Sequence, residues 1–331
     1  MGAGPNCHRY REHDMTDAFF TVKNRPRSVT GIRRTSGGGP QTLEQSIPDG
    51  DTTGVHVQGS MLVRFLGVDT PEKRIALPVA DSQASLDSDD WETYLSDPFR
   101  PEFGAFDLDP SLAAHLKTRI GAGAAANHHR HAQKAGDSLR ELVQSDMTAL
   151  GQTAADFHYF LAFEFEVFDS HGRFLAFVNR DQKNPTVPSP RPPTYNERQL
   201  ERGVALPFFI WPNIDPFRDV TLLDAVLEPG TAHDVAENSP SLKRARDFVE
   251  QARADKKGVF DPQDALRFEA FEIRYLARRQ PPDRAVIDLS RNDDTLRAAQ
   301  RYFEIPNPED RLYIPQHFVP LFLSRGWRLE H

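Results

Sequence analysis

Charged residues bracket an apolar run within residues 47–74, IPDGDTTGVHVQGSMLVRFLGVDTPEKR. Asp51 precedes the run, Arg64 interrupts it, and Asp69 and Glu72 follow it. A nearly continuous apolar run is typical of a strand that is packed on both faces, where an unpaired charge is costly. The four charged side chains therefore need partners close to this strand, and a site built around the strand would provide them.

Two strands are predicted in this stretch, GVHV and MLVRFLGV, joined by a turn at QGS. Antiparallel pairing brings Asp51 and Asp69 to the same end of the hairpin, so that their carboxylates converge. Two carboxylates and a backbone carbonyl suit a hard divalent cation and leave room for a phosphate oxygen. Arg64 could neutralise that phosphate, and Glu72 could accept a proton from an attacking water. The structural alternative is that the acidic residues cap turns and pair with Arg64.

Composition limits the classes of protein that this chain can belong to. With 331 residues, 38% of them hydrophobic, it can hold one sizeable domain with additions or two modest ones. A net charge of −8 argues against a protein that coats nucleic acid, although a local basic site stays possible. The single cysteine, Cys7, excludes an intramolecular disulfide. The polar start of the chain lacks the apolar core of a signal peptide, and no run is long enough to span a membrane, which predicts a cytoplasmic location.

The rest of the chain alternates short strands with helices. A helix is predicted over HHRHAQKAGDSLRELVQ, and a β-hairpin over FHYFLAFEFEVFDSHGRFLAFV with its turn at DSHG. YNERQLERG is predicted as a helix with Asn196 as N-cap and Gly203 as its end, and SLKRARDFVEQARADKKG as a longer helix. FEAFEIRYLARR and RAVIDLS are predicted as strands, and TLRAAQRYF as a helix.

This order predicts an α+β, mainly β protein: a five-stranded barrel of the OB type with covering helices. We expect a flexible leader over residues 1–41 and the barrel domain over 42–260, with an acidic insert at 75–126. Residues 261–331 are expected to form a small, separate α+β accessory domain. The insert has nine acidic residues and one basic residue between Asp81 and Asp109, which is typical of a solvated, partly disordered loop. A further hypothesis is that this loop competes with nucleic acid and restrains activity.

Five short motifs, taken in order, resemble the staphylococcal nuclease (thermonuclease) family. They are DGDT, VRFLGVDTPE, HGR, NERQLERGVA and PN. The resemblance runs over about residues 50–258, is broken by the acidic insert, and covers about half the chain. It implies an OB-type barrel with three helices and calcium-dependent cleavage of DNA and RNA that leaves 3′-phosphate ends.

The resemblance also assigns roles to individual residues. It implies that Asp51 and Asp69 bind Ca²⁺ through their carboxylates and Thr70 through its backbone carbonyl. It implies that Glu72 is the general base or orients the water. The resemblance implies that Arg64 and Arg173 hold the phosphate and stabilise the negative charge of the transition state.

Some positions differ from the family pattern. His171 stands where the family has a phosphate-contacting tyrosine. Phe209 and Trp211 fall near two tyrosines that flank the bound nucleotide, and their spacing would place both rings on one face for base stacking. The alternative for these two rings is a place in the core. These differences bear on substrate preference more than on the chemistry.

The histidines of HHRH, His128, His129 and His131, suggest a zinc site. Without a carboxylate or cysteine in register, a polar helix start is the more common meaning, and a contact with the DNA backbone stays open. From the sequence we therefore expect a calcium-dependent nuclease with nucleic acid as its substrate. The alternative is a catalytically silent, nuclease-like module that binds nucleic acid or protein.

Overall fold

The computed structural model describes residues 29–32, 39, 41–47, 55–58, 62–78, 83–215 and 220–330. The chain divides into two units. The first comprises the chain up to Arg64 together with Val167–Leu175, and the second comprises Phe65–Glu166 and the chain from Ala176 onward. The described residues combine helices with several small sheets, so the α+β class predicted from the sequence is confirmed.

The described strands are short. They are β1 (Val29–Ile32), β2 (Val55–Gln58), β3 (Val63–Phe65), β4 (Gly67–Asp69), β5 (Arg74–Ala76), β6 (Gln83–Ser85), β7 (Tyr159–Ala162), β8 (Phe174–Arg180), β9 (Leu206–Ile210), β10 (Ala285–Asp288), β11 (Thr295–Leu296), β12 (Arg311–Ile314) and β13 (Arg328–Leu329).

Helices make up much of the rest. They are α1 (Leu43–Ser46), α2 (Asp89–Ser96), α3 (Pro110–Lys117), α4 (Ala124–Leu150), α5 (Tyr195–Glu201), α6 (Ala232–Asn238), α7 (Pro240–Ala254), α8 (Ala270–Arg278) and α9 (Val319–Ser324). Single 3₁₀ turns lie at Pro101–Phe103, Gly258–Phe260, Ala299–Glu304, Pro308–Asp310 and Gln316–Phe318. Within the described residues, no helix is both long enough and apolar enough to cross a bilayer.

In the first unit, the predicted strand GVHV is confirmed as β2, which pairs antiparallel with β1. Helix α1 begins at Thr42, whose side chain accepts a hydrogen bond from the backbone N–H of Gln45. A tight turn at residues 169–173 also belongs to this unit. Asp51 and the predicted QGS turn lie outside the described residues.

The apolar run MLVRFLGV does not form one strand. It breaks between β3 and β4 at Leu66, and Gly67 then takes a positive φ of 71°, a conformation that residues with a Cβ rarely adopt. Strand β4 continues in a new direction and pairs antiparallel with β9, so that Asp69 lies opposite Leu206. The single glycine in the run therefore sets the position of the acidic residue that follows it.

The largest sheet of the second unit has four strands in the order β10–β12–β9–β4. It is mixed, because β12 runs parallel to β9 while the two outer pairs are antiparallel. Apolar clusters pack against the sheet. One contains Trp211, Phe322 and Trp327. The other contains Trp91, Phe271 and Tyr313.

The acidic insert is folded, so the expectation of a solvated, partly disordered loop is wrong for the residues described there. It contains β5, β6, α2 and α3, and its Leu86, Leu112 and Leu116 are buried. Trp91 and Leu95 have no exposed surface, and the Tyr94 hydroxyl donates a hydrogen bond of 2.7 Å to the carbonyl of Leu276. Asp89, Asp90 and Glu92 lie on helix α2, whose Trp91, Tyr94 and Leu95 anchor the segment to the core. Deleting the insert would therefore remove part of the core as well as the charge.

Helices α4, α5 and α7 confirm three sequence predictions, with one correction. Thr194, and not Asn196, is the N-cap of α5. Asn196 is buried in the first turn of the helix and bonds to the backbone of Leu66, between β3 and β4, and of Ala176 and Val178 in β8. Gly203 ends the helix as expected, because φ is +64° and a Cβ there would lie 2.6 Å from the carbonyl oxygen of Lys257.

The predicted hairpin is confirmed, although its ladder is interrupted. Strand β7 pairs antiparallel with β8, and β8 lies between β7 and β3. The turn closes with a bridge between Phe168 and Phe174. Residues 163–166, which the alternating pattern predicted as strand, are not paired as a named strand; there Glu166 exchanges hydrogen bonds with Asn213 instead.

The C-terminal segment differs most from the expectation. FEAFEIRYLARR forms helix α8, so the predicted strand is wrong, whereas RAVIDLS forms β10 as expected. The predicted helix TLRAAQRYF is a short strand, β11, followed by a 3₁₀ turn. Residues 261–331 do not form a separate domain, because β10 and β12 extend the same sheet as β9 and β4. The described strands make several small sheets and no closed barrel.

Helix α8 is held by a buried carboxylate. Glu272 has no exposed surface and accepts hydrogen bonds from Arg119 at 2.7 Å and from the Tyr302 hydroxyl at 2.5 Å. Its other role is local, since the backbone N–H of Glu269 donates to it and so caps the helix. Burial alone would raise the pKa of Glu272, but the charge of Arg119 and the hydrogen bonds of His115 and Tyr302 together outweigh it and leave the pKa well below its usual value.

We expect Glu272→Gln to lower the free energy of unfolding by about 1–3 kcal/mol near neutral pH, since it leaves the half-buried Arg119 without its counter-ion. Because the folded-state pKa lies below the unfolded one, this stabilisation is complete above pH 4.5 and is lost as the pH falls below that value. Urea unfolding at several pH values measures both effects. Glu102→Gln, at an exposed carboxylate, is the control. Equal stability of the two variants would contradict the assignment.

Candidate functional site

The structure separates the residues predicted for the site into two groups. Arg64, His171 and Arg173 belong to the first unit, and Asp69, Thr70 and Glu72 belong to the second, as do Phe209 and Trp211. Asp51 lies outside the described residues, so its predicted calcium-binding role stays a prediction. Each group is described by itself.

In the first unit, Arg64 and Arg173 lie on neighbouring segments. Arg64 is half-buried in β3. One residue beyond Arg173, the backbone N–H of Phe174 donates a hydrogen bond of 2.9 Å to the carbonyl of Leu62. The two predicted phosphate-binding arginines are therefore carried by two hydrogen-bonded segments.

A carboxylate that the sequence analysis did not select holds Arg173. Arg173 Nε lies 2.6 Å from Asp169 Oδ2, while Asp169 Oδ1 accepts from the backbone N–H groups of His171 and Arg173. Burial alone would raise the pKa of Asp169, but its hydrogen bonds and the Arg173 charge leave the pKa below its usual value. His171 is exposed, with Nδ1 at 4.0 Å from Asp169 Oδ2. Asp169 thus fixes the arginine at the turn and offsets its charge.

In the second unit, Asp69 and Glu72 converge on one guanidinium, that of Arg274. Arg274 Nη2 lies 2.6 Å from Asp69 Oδ2, and Arg274 Nη1 lies 3.1 Å from Asp69 Oδ1. The same Nη1 lies 2.9 Å from Glu72 Oε1. Asp69 is only 3% exposed, so this forked ion pair supplies the partner that a buried carboxylate requires.

Arg274 reaches the pair from helix α8. Its guanidinium carbon also lies 5.8 Å from the centre of the Phe208 ring, and Arg284 lies 5.7 Å from the same ring. Burial would lower the pKa of Arg274, but the charges and hydrogen bonds of Asp69 and Glu72 together outweigh it, so the pKa lies above its usual value and the group stays charged. The sequence analysis did not select Arg274, because it predicted FEAFEIRYLARR as a strand. The capping pair Glu269 and Glu272, three residues apart, is the sequence signal that could have identified the helix.

Helix α4 supports the acidic segment through a histidine. The backbone N–H of Glu72 donates a hydrogen bond of 2.8 Å to His128 Nε2, and His128 has no exposed surface. Burial lowers the pKa of His128 to about 3, against a smaller opposing effect of Asp69, so the ring is neutral and its Nε2 accepts. The ring fixes the backbone of Glu72.

The HHRH histidines point to three different partners. His129 Nδ1 lies 3.5 Å from Asp87 Oδ2, and His131 Nε2 lies 2.7 Å from the carbonyl oxygen of Asp264. His128 bonds to Glu72, as described above. They do not converge as the zinc interpretation requires. A search of the described residues finds no group of three or more histidine, cysteine or acidic side chains that could hold a metal.

Phe209 and Trp211 lie in the core and are withdrawn as base-stacking residues. Phe209 is 3% exposed and Trp211 is 0% exposed. The Trp211 indole donates a hydrogen bond of 2.9 Å to the carbonyl of Ala225, and its ring packs edge-on against Phe318 and Phe322. A nucleotide base could not reach either ring without opening this cluster.

The donors that the structure describes can be compared with what calcium needs. Ca²⁺ takes six to eight oxygen ligands, and carboxylates that converge on one point suit it. Asp69 and Glu72 do converge, and the positive group found between them is Arg274. Two converging carboxylates are part of such a donor set, and the guanidinium already uses three of their four oxygens.

We expect Trp211→Ala to lower the free energy of unfolding by about 3–5 kcal/mol, because the deletion leaves a cavity in the core. Tyr159→Ala is the matched control, since Tyr159 is 51% exposed and its removal should cost less than about 1 kcal/mol. Chemical unfolding followed by circular dichroism measures both. Similar losses in the two variants would show that Trp211 is not a core residue.

Comparison with known proteins adds no relative to this description. The chain matches no family model, no curated protein and no solved structure. The resemblance therefore stands on the short motifs themselves, and the site stands on its own geometry. Both lead to the same acidic segment, Asp69 to Glu72.

Proposed function

We propose that the protein is a calcium-dependent nuclease that hydrolyses phosphodiester bonds of DNA, RNA or both and leaves 3′-phosphate ends. The observation that carries this proposal is the convergence of Asp69 and Glu72 on one positively charged group. Asp69, a proposed metal ligand, and Glu72, the proposed general base, need to lie this close together if the motif VDTPE is to act on a metal-bound phosphate. The proposal includes an OB-type barrel, for which the antiparallel pairs β7–β8 and β4–β9 are the support.

The proposed metal ligands are the carboxylates of Asp51 and Asp69 and the backbone carbonyl of Thr70. Bound calcium would supply a positive charge for the phosphate oxygens as negative charge builds up on them. Arg64 and Arg173 would bind the phosphate and stabilise the same charge. His171, exposed at the turn beside Arg173, stays a candidate contact for the substrate.

The proposed general base is Glu72. Its carboxylate takes a proton from water, the water oxygen forms a bond to phosphorus, and the bond between phosphorus and the 5′ oxygen breaks. The 5′ oxygen leaves with a proton from solvent. His128 supports Glu72 because it accepts the hydrogen bond of the Glu72 backbone N–H and so restricts that segment.

A second candidate function is a nuclease-like module that binds nucleic acid or protein without cutting it. The observation that favours it is the saturation of the acidic pair, since three of the four carboxylate oxygens accept hydrogen bonds from Arg274. Asp169 offsets the charge of Arg173 in the same way. The retention of every acidic and arginine position favours the enzyme.

Cleavage assays separate the two candidates. We expect the protein to cut plasmid DNA or single-stranded RNA in calcium and not with a chelator. Glu72→Gln should slow cleavage by about 100- to 10,000-fold, as for the loss of a general base. Glu102→Gln, at an exposed and distant carboxylate, is the control and should keep full activity.

Other results would change the conclusion. Cleavage that continues with a chelator, or that Glu72→Gln leaves undiminished, would refute the mechanism. Binding of nucleic acid without cleavage under any of these conditions would support the silent module. Products that carry a 5′-phosphate would contradict the proposed bond cleavage.

A further inference from the structure

We propose that Arg274, as part of the chain, competes with a calcium ion for the acidic pair Asp69–Glu72. This inference rests on the proposed function, and it gives a role to a segment that lies outside the resemblance. Arg274 comes from residues 261–331, whereas the motifs end at about residue 258. The C-terminal segment would then regulate metal binding at the site.

The contacts explain why Arg274 and a metal compete. The forked guanidinium engages both oxygens of Asp69, and its Nη1 also reaches Glu72 Oε1. A divalent cation bound to Asp69 would use the same lone pairs of its two oxygens. Two positive groups that share one small, buried set of oxygens repel each other strongly. Calcium can therefore occupy the pair only to the extent that Arg274 leaves it.

The fold keeps the competitor in place. Helix α8 begins with the reciprocal hydrogen bonds of Glu269 and Glu272. Glu269 also binds Arg311 of β12 at 2.7 Å, and Glu272 binds Arg119 at 2.7 Å. These contacts hold the first turn of the helix in place at Glu269 and at Glu272, directly before Arg274. An attached and oriented guanidinium acts at a high effective concentration, which a free cation has to overcome.

The next turn of the same helix provides a matched control. Arg278 follows Arg274 by four residues, is exposed, and makes no hydrogen bond or ion pair among the described residues. Its pKa is lowered by burial of part of the side chain and then by the charges of Arg274 and Arg284, which shows that it lies close to them. Replacing Arg278 therefore changes the local charge by the same amount without freeing a carboxylate.

Calcium titration of the full-length chain by calorimetry, without nucleic acid, tests the proposal. Arg274→Met should bind Ca²⁺ at least about tenfold more tightly than the wild type, a coupling of ordinary size between two competing ligands. Arg278→Met should stay within about twofold of the wild type, because its effect is limited to a screened charge. Equal calcium affinity of the wild type and Arg274→Met would overturn the proposal.

Two further variants control for a loss of folding and for calcium binding at another site. Arg274→Lys keeps the charge but loses the fork, so its calcium affinity should fall between those of the wild type and Arg274→Met. An Arg274→Lys affinity equal to that of the wild type would count against the proposal if Arg274→Met did not fold. Adding Asp69→Asn to Arg274→Met should abolish the gain, and a gain that survives would place the calcium site elsewhere and overturn the proposal.

The result is independent of whether the protein cuts nucleic acid. A calcium gain in Arg274→Met, with no cleavage by any variant, would support the competitor and refute the proposed nuclease. Cleavage by the wild type with no calcium gain in Arg274→Met would support the nuclease and refute the competitor.

Discussion

Strand β9 connects the parts of the second unit that matter for the site. On one side it pairs antiparallel with β4, which ends in Asp69, and on the other it runs parallel to β12. Its side chains, Phe208 and Phe209, enter different apolar clusters. Because β9 is hydrogen-bonded on both edges, the segment that carries the acidic motif and the C-terminal segment share one sheet. The contact between Asp69 and Arg274 depends on that shared sheet.

Buried carboxylates held by arginine recur in this unit. Asp69 pairs with Arg274, Glu272 pairs with Arg119, and Asp146 pairs with Arg198 at 2.6 Å. Such pairs add little net stability, because desolvation of two charges offsets most of their attraction. Breaking one is costly all the same, since the remaining charge stays buried. Their contribution here is positional: each fixes a helix relative to a distant part of the chain.

Local patterns were sufficient for some elements. The apolar period of α4 and α7, and the apolar stretches on both sides of the DSHG turn, are properties of short windows and predicted two helices and a hairpin correctly. The alternation itself lies at residues 163–166, which do not form a named strand. The sequence predicted that the carboxylates of Asp51 and Asp69 converge, or that the acidic residues pair with Arg64. The partner found for Asp69 and Glu72 is Arg274, and Asp51 lies outside the described residues. The predictions that failed concern residues whose partners lie far along the chain. The charge of the acidic insert predicted a solvated loop, but its Trp91 and Leu95 are buried in an apolar cluster. The sequence of the insert alone does not reveal which residues they pack against.

Helix α8 shows the limit most clearly. Its residues alternate apolar and polar closely enough to suggest a strand, and burial on nearly every side obscures the helical period. The prediction that Phe209 and Trp211 stack on bases failed for a related reason. Their i, i+2 spacing shows only that they share a face and not whether that face is exposed. Arg274 could not be assigned to Asp69 from spacing, because 205 residues separate them.

That separation has a consequence for how the protein is made. Synthesis proceeds from the N-terminus, so Asp69 leaves the ribosome long before the residue that neutralises it. Until helix α8 has emerged, Asp69 lacks the guanidinium of Arg274 and is better solvated than buried. The sheet edge that carries the acidic motif can therefore close only late, after nearly the whole chain exists. The order in which the chain appears sets the order in which its charges can be buried.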